Sequence, residues 1–297
     1  MLQLAGVEVS EVWFGKFGRD EQRVANPISQ AEAAKLLSEG QISAIYTQYL
    51  QTGYALELAT QAYPYTTPII SFCYDLVNQM DAITAWTCSP VRHPSDIAVI
   101  SSEEGYTALR KMFHYAGAGN SFQPADVKVI PLGTFQPSHN LTKESVRKCR
   151  GWDDDEIVYL WFGRFHDFYK ADLIPLLLAF HKIITGADIP RARFVAMGSD
   201  ETGKVDQLKS ITKSLGIEEY CTWLPNATKT ESDQCLVGAD ILVNVSDHIQ
   251  ETFGLVNIEA MANGLPVIAG DWNGFRNIID DGITGLLVPT NFDASLL

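Results

Sequence analysis

No apolar run in this 297-residue chain is long enough to cross a bilayer. The most apolar helical stretch, Leu173 to Ile184, is interrupted by His181 and Lys182 and falls short of the roughly 20 residues a span needs. The opening residues, MLQLAGVEVSEVWFGKF, carry Glu8 and Glu11 where a secretory leader needs an unbroken apolar stretch. A cytoplasmic location with no transmembrane segment is therefore expected. Basic charge is also scarce. Twenty-two Lys and Arg against 36 Asp and Glu leave a net charge of −14, which argues against nucleic acid or an anionic membrane as the main partner. Any anion site must gather its own cations locally. The five cysteines, Cys73, Cys88, Cys149, Cys221 and Cys235, are odd in number and form no CxxC pair. That is the pattern of buried reduced thiols, not of disulfides or a metal knuckle. His93, His114, His139, His166, His181 and His248 show no HExxH or other ligand spacing, so no metal is expected.

What is present is an apolar content of 46% with 20% charged residues, ordinary for a globular protein and sufficient, at this length, for two domains. The first 40 residues give a weak signal, with a capped amphipathic helix over Ser29 to Ser38. An alternation then sets in. Strands are predicted at Ile42 to Thr47, Thr67 to Phe72, Asp96 to Ile100 and Val127 to Ile130. Helices are predicted between them at Tyr54 to Gln61, Leu76 to Thr87 and Glu103 to Tyr115. Strands separated by helices imply parallel pairing with right-handed crossovers.

A polar connector, Thr134 to Asp155, follows, with Pro137 and the RKCR cluster of Arg147 to Arg150. The domain boundary is placed there, giving domains 1–140 and 141–297. The alternation restarts with strands at Ile157 to Phe162, Arg193 to Met197, Tyr220 to Leu224 and Asp240 to Val245. Helices are predicted at Asp172 to Ile184, Lys204 to Leu215 and Thr230 to Val237. The expected fold class is α/β: two Rossmann-like parallel-sheet domains facing across a cleft, with ligands beyond the carboxyl ends of the strands.

The richest stretch is ETFGLVNIEAMANGLPVIAGDWNGFRNIIDDGITGLLV, Glu251 to Val288. A Gly-containing loop feeds the helix Leu255 to Ala262, which Asn263-Gly264 ends. Strands follow at Pro266 to Ala269 and Gly285 to Val288. A loop that enters a helix directly leaves the leading N–H groups open at the positive end of the dipole, an anion seat. Glu251 stands before that seat and Glu259 near the far end of the helix. At about 1.5 Å per residue they lie about 12 Å apart along the axis, too far to attack one glycosidic bond from both sides. They suit two clamps on an extended ligand with an anionic middle.

A Glu, seven residues and a second Glu, with FG after the first and AMANGLPVIA after the second, resembles the signature of family 4 glycosyltransferases of the GT-B fold. The resemblance implies that Glu251 contacts a donor sugar, that Glu259 holds the ribose of a nucleotide, and that the amides of Phe253, Gly254, Leu255 and Val256 face sugar and phosphate. FGRFHDFYKAD resembles the family's GR…K element, which implies that Arg164, following Gly163, and Lys170 bind the donor phosphates. From the first domain, Asp75 stands where members often carry a His-Asp pair, with Tyr74 in the place of the His. As the N-cap of the following helix, Asp75 has an equally good structural reason to be there. Asn226, after the strand ending at Leu224, marks the expected base contact, Ser246 the support of the loop leading to Glu251, and Ser101, Ser102 and Gly133 an acceptor side. Asn277 stands where the family usually has an acid.

The resemblance implies a retaining, nucleotide-sugar-dependent hexosyltransferase. It would have no cofactor beyond the nucleoside diphosphate sugar co-substrate, and a hydroxyl-bearing glycan, lipid or small molecule as acceptor. Against the family's pattern the chain looks shortened at both ends. A nucleotide-sugar-binding module without transfer activity, and an unrelated α/β binder of sugar or NAD, are the alternatives. Gly117-Ala118-Gly119 is a lone GxG outside a strand-to-helix turn, and Asp153-Asp154-Asp155 precedes a strand and reads as a solvated turn.

Overall fold

The computed structural model describes residues 11–12, 27–28, 35–36, 39–47, 67–73, 96–115, 127–134, 141–167, 170–186, 191–248 and 251–290. The helices expected at Tyr54 to Gln61 and Leu76 to Thr87, nearly all of that at Ser29 to Ser38, and Tyr74, Asp75 and Cys88 lie outside the described residues.

Two short strands, β1 (Glu11–Val12) and β2 (Pro27–Ile28), pair in parallel. A four-stranded sheet has the order β3 (Ile45–Thr47), β4 (Ile69–Cys73), β5 (Ile97–Ile100), β6 (Val127–Val129). Helix α1 (Glu103–Tyr115) follows β5. A six-stranded sheet is built from β7 (Ile157–Phe162), β8 (Ala192–Gly198), β9 (Cys221–Pro225), β10 (Ile241–Asn244), β11 (Val267–Gly270) and β12 (Gly285–Val288). Its strands are all parallel, in the order β12-β11-β10-β7-β8-β9. The helices here are α2 (Lys143–Arg150), α3 (Ile174–Thr185), α4 (Lys204–Ser214), α5 (Lys229–Gly238) and α6 (Leu255–Ala262). The chain divides into two compact units, and of the described residues the second contains Ile100–Lys111 and those from Val129 onward.

The six-stranded sheet is covered on both faces, as side-chain alternation along each strand dictates. Val158 and Leu160 of β7, Val195 and Met197 of β8 and Leu242 of β10 face a core with Cys235, Leu236, Ala260 and Phe275. Trp161, Phe194 and Ala196 face the other way, onto Leu177 and Phe180 of α3 and Val205 and Leu208 of α4. The chain builds β7, β8 and β9 outward in one direction and β10, β11 and β12 in the other, so the strand order reverses between β7 and β10. Those two strands are matched over two residue pairs, Ile241 with Tyr159 and Leu242 with Leu160, whereas β7 and β8 are matched over six. A reversal of this kind leaves a crevice at the carboxyl ends of the two strands.

The connector expected over Thr134 to Asp155 holds a helix, α2. Thr142 caps it in a reciprocal box with Ser145, and Gly151 ends it in the left-handed region at φ 67°. Its sequence, KESVRKCR, gave no apolar stripe because the helix docks through Arg147, which is 3% exposed. That guanidinium donates to the carbonyls of Gly238, Asp153, Asp154 and Glu156 at 3.0–3.2 Å and to the Asp240 carboxylate at 2.5 Å. Burial works to raise the Asp240 pKa, but hydrogen bonds from Lys143 and the Val158 amide, with the Arg147 charge, hold it below the usual carboxylate range. Cys149 is exposed on α2, contrary to the expectation of buried thiols, while Cys73 and Cys235 are buried. Burial pushes these two thiols up to about 12 and about 11, which makes them poor nucleophiles. Asp153 and Asp155 are exposed and face Arg191, as befits a solvated turn. Among the described residues no helix is long and apolar enough to cross a membrane.

Candidate active site

The carboxyl ends of β7 and β10 carry most of the residues singled out from sequence. Beyond β7 the chain passes Gly163 and Arg164 and reaches Lys170. Beyond β10 it passes Ser246 and reaches Glu251. The Lys170 ammonium donates to Glu251 Oε2, and each side chain is only 15% exposed. Ser246, 1% exposed, supports both partners. Its Oγ lies 2.9 Å from the Lys170 carbonyl and 3.3 Å from Glu251 Oε2. A hydroxyl has one proton to give, and the shorter distance assigns it to the carbonyl. Arg164 stands exposed at the same strand end, its guanidinium without a partner among the described residues.

Backbone contacts that only glycine permits fix the ends of the strands. Gly198, at the end of β8, has φ 145°, and a Cβ there would lie 1.7 Å from the Gly163 carbonyl oxygen. Gly163 N donates to Met197 O at 3.0 Å, Phe165 N to Ser199 O at 2.8 Å, and Asn226 N to Gly198 O at 2.6 Å. The loops after β7, β8 and β9 are thus laced together. Asn226, expected to meet the base through its backbone, accepts with its side chain from Asp200 N at 3.1 Å, and its own backbone is left-handed at φ 56°.

Helix α6 begins at Gly254, which has φ 98° and ψ 60°, and no side chain caps it. Its leading amides, those of Leu255 and Val256, therefore meet the dipole's positive end without a protein carboxylate on them. Gly254 is buried against the Phe275 ring, which a Cβ would approach to 2.5 Å. The short 3-10 turn Asn273–Asn277 closes on the same loop, so that a Cβ on Gly274 would lie 2.0 Å from the Thr252 carbonyl oxygen. Phe253 is buried, so only its backbone could serve a ligand, as expected. Asn277 is exposed. Beneath α6, Asn244 Nδ2 donates to Asn257 Oδ1 at 2.8 Å, and Ser246 N donates to Asn244 Oδ1 at 3.1 Å. Sequence reasoning missed this pair; Asn257, set between Val256 and Ile258 in LVNIEAMA, was the available signal.

Glu259 is half-buried and its carboxylate has no hydrogen-bond donor among the described residues. Burial raises its pKa, opposed by the Lys229 charge and aided by Asp233. Lys229 is itself engaged by Asp233. A desolvated carboxylate lacking donors is a ready acceptor for ligand hydroxyls.

Ser101 and Ser102, expected toward an acceptor, are 3% and 2% exposed. Ser102 Oγ donates to the Thr252 carbonyl and accepts from Gly105 N at 3.0 Å, and Ser101 Oγ lies 3.5 Å from Thr252 Oγ1. These hydroxyls brace the Glu251 loop instead of facing a ligand. Gly133 is exposed.

The family model for glycosyl transferases group 1 matches residues 142–297, more than half of the sequence. The chain belongs to this family. The resemblance to family 4 glycosyltransferases of the GT-B fold holds with it. Among relatives of this group 1 chain, a D-inositol 3-phosphate glycosyltransferase of Rhodococcus erythropolis is 31% identical over 200 residues, 65% of this chain and 42% of that protein. The chain thus spans less than half the length of that relative. Of solved structures, Anabaena Alr3699/HepE in complex with UDP-glucose superposes with a TM-score of 0.67 at 19% identity, over 90% of this chain and 69% of the other. A glycosyltransferase from Rickettsia africae gives 0.72 at 15% identity, over 98% and 78%. At these identities the likeness is one of fold, and that fold is GT-B.

Proposed function

We propose that this group 1 chain is a retaining glycosyltransferase that moves a hexose from a nucleoside diphosphate sugar to an acceptor hydroxyl. The observation that carries the reading is the convergence, at the β7/β10 reversal, of Lys170, Glu251 and the uncapped start of α6. The solved complex of HepE with UDP-glucose supports a nucleotide-sugar donor, and the name of the Rhodococcus relative supports glycosyl transfer.

In this reading the diphosphate lies against the amides of Gly254, Leu255 and Val256, with Arg164 and Lys170 as cations. As the bond from the anomeric carbon to the diphosphate oxygen breaks, negative charge grows on the leaving group. Preformed dipoles and cations stabilise that charge with little reorganisation. Glu251 accepts hydrogen bonds from sugar hydroxyls, and the half-buried Glu259 carboxylate accepts from a ribose diol. The acceptor oxygen bonds to the anomeric carbon on the face the diphosphate leaves, and its proton passes to the departing phosphate oxygen, so no protein base is required.

Kinetics of two variants test these roles. Glu251→Gln should lower turnover by about a hundredfold without weakening nucleotide binding, and Glu259→Ala should mainly weaken nucleotide binding, by about tenfold for lost hydrogen bonds to a charged group. Equal activity of both variants and the wild type would refute the assignment. Donor binding without product over a broad acceptor panel would leave a binding module in place of a transferase.

A further inference from the structure

We propose that Lys170 and Glu251 form an exchange latch, positioned by Ser246, that selects an intact nucleoside diphosphate sugar over the bare nucleoside diphosphate. The inference rests on the donor-binding reading above and adds what the unliganded pair demands of its ligand.

The Lys170 ammonium is not free to receive an anion, because Glu251 Oε2 already accepts from it and both side chains are largely buried. An anion arriving at the start of α6, three residues past Glu251, therefore competes with a carboxylate for its cation. If it takes the ammonium alone, Glu251 is left poorly solvated, unpaired and close to added negative charge. Stripping one partner from such a pair costs far more than the net worth of the pair. Ser246 cannot make up the loss, since its single proton is committed to the Lys170 carbonyl.

A ligand that brings hydroxyl donors along with the phosphates avoids this penalty. Its hydroxyls replace the ammonium on Glu251 while its phosphates take the ammonium, and every group remains paired. A hexose joined to a diphosphate meets both demands; a diphosphate alone meets one. Once the sugar has been transferred, Lys170 returns to Glu251 and the spent nucleotide loses a cation. The same exchange that admits the donor therefore speeds release of the product.

Calorimetric titrations of the wild type, Glu251→Gln and Ser246→Ala with three ligand pairs test the latch: UDP and UDP-glucose, ADP and ADP-glucose, GDP and GDP-mannose. In the pair that binds, the wild type should prefer the sugar form by about tenfold or more, the scale of a charge-assisted hydrogen bond. Glu251→Gln keeps the shape but not the charge. It should bind the bare diphosphate more tightly than the wild type does, and its preference for the sugar form should collapse. Unchanged or weaker diphosphate binding by a folded Glu251→Gln would overturn the latch. Ser246→Ala should reduce the preference and Ser246→Thr restore it; an unchanged preference in Ser246→Ala would remove Ser246 from the device. No heat with any of the six ligands would instead overturn the donor-binding reading on which the latch depends.

Discussion

Gly198→Ala adds a single methyl group to a residue with no assigned chemistry, yet it should damage both stability and the site. A Cβ at this position would lie 1.7 Å from the Gly163 carbonyl oxygen and 2.6 Å from its carbon. Neither atom is the end of a flexible side chain, so the backbone after β7 must retreat by more than an ångström. The native φ of 145° adds strain of about 1–3 kcal/mol for an L residue, and overpacking against a fixed neighbour costs about 1–3 kcal/mol more. Together these approach the total stability of a small domain. The displaced segment carries Arg164 and leads to Lys170, and a misplacement of about 1 Å can reduce turnover about a hundredfold. Gly216→Ala is the control. Its φ of 69° is also left-handed, but nothing lies within 4 Å of an added Cβ, so it should lose only the backbone strain. Urea denaturation and donor titration of both variants decide the matter. A Gly198→Ala protein with the midpoint and donor affinity of Gly216→Ala would show that the loops after β7 and β8 are not locked by this contact.

Arg147→Met should destabilise the second unit by about 3–5 kcal/mol, because it abandons the Asp240 carboxylate and several buried carbonyls; a loss below about 1 kcal/mol in urea would refute the docking role given to α2. The two shifted carboxyls act with opposite signs on stability against pH. Asp240, with its folded pKa lowered, stabilises above its unfolded pKa, and that contribution is lost as pH falls through the folded value. Glu259, with its folded pKa raised, makes the native state bind the extra proton, so stability declines as pH rises from the unfolded value through the folded one. Glu259→Gln should therefore flatten the decline above the ordinary carboxylate range; a profile superimposable on the wild type's would show that burial does not perturb Glu259.

The parts of this molecule legible in sequence were those encoded locally. Strand β7 is an apolar run bounded by a polar turn and Gly163, helix α6 ends at Asn263-Gly264, and β12 follows a turn-rich segment; all three have the bounds their residues predict. Helix α2 was not legible because what holds it is one buried guanidinium reaching 93 residues ahead to Asp240, and no periodicity reports such a bond. The pairing of Lys170 with Glu251, 81 residues apart, was equally hidden, although the motif named both residues. The spacing of the two glutamates placed them on one loop and helix, but their difference was invisible. One carboxylate is engaged by the Lys170 ammonium, and the other is half-buried with no donor among the described residues. Gly198 carried no signal because what makes it necessary is a neighbouring strand end.

The brevity of the β7 to β10 match has a consequence for how this sheet holds together. Its two halves are fastened to each other by a short seam of main-chain hydrogen bonds. Just past the end of that seam, the bond from Lys170 to Glu251 and the reach of Ser246 to the Lys170 carbonyl cross from one half to the other. The groups that would handle a donor are thus also rivets between two half-sheets, and a ligand stretched from Arg164 to Gly254 would fasten the join where the protein's own backbone does least to close it.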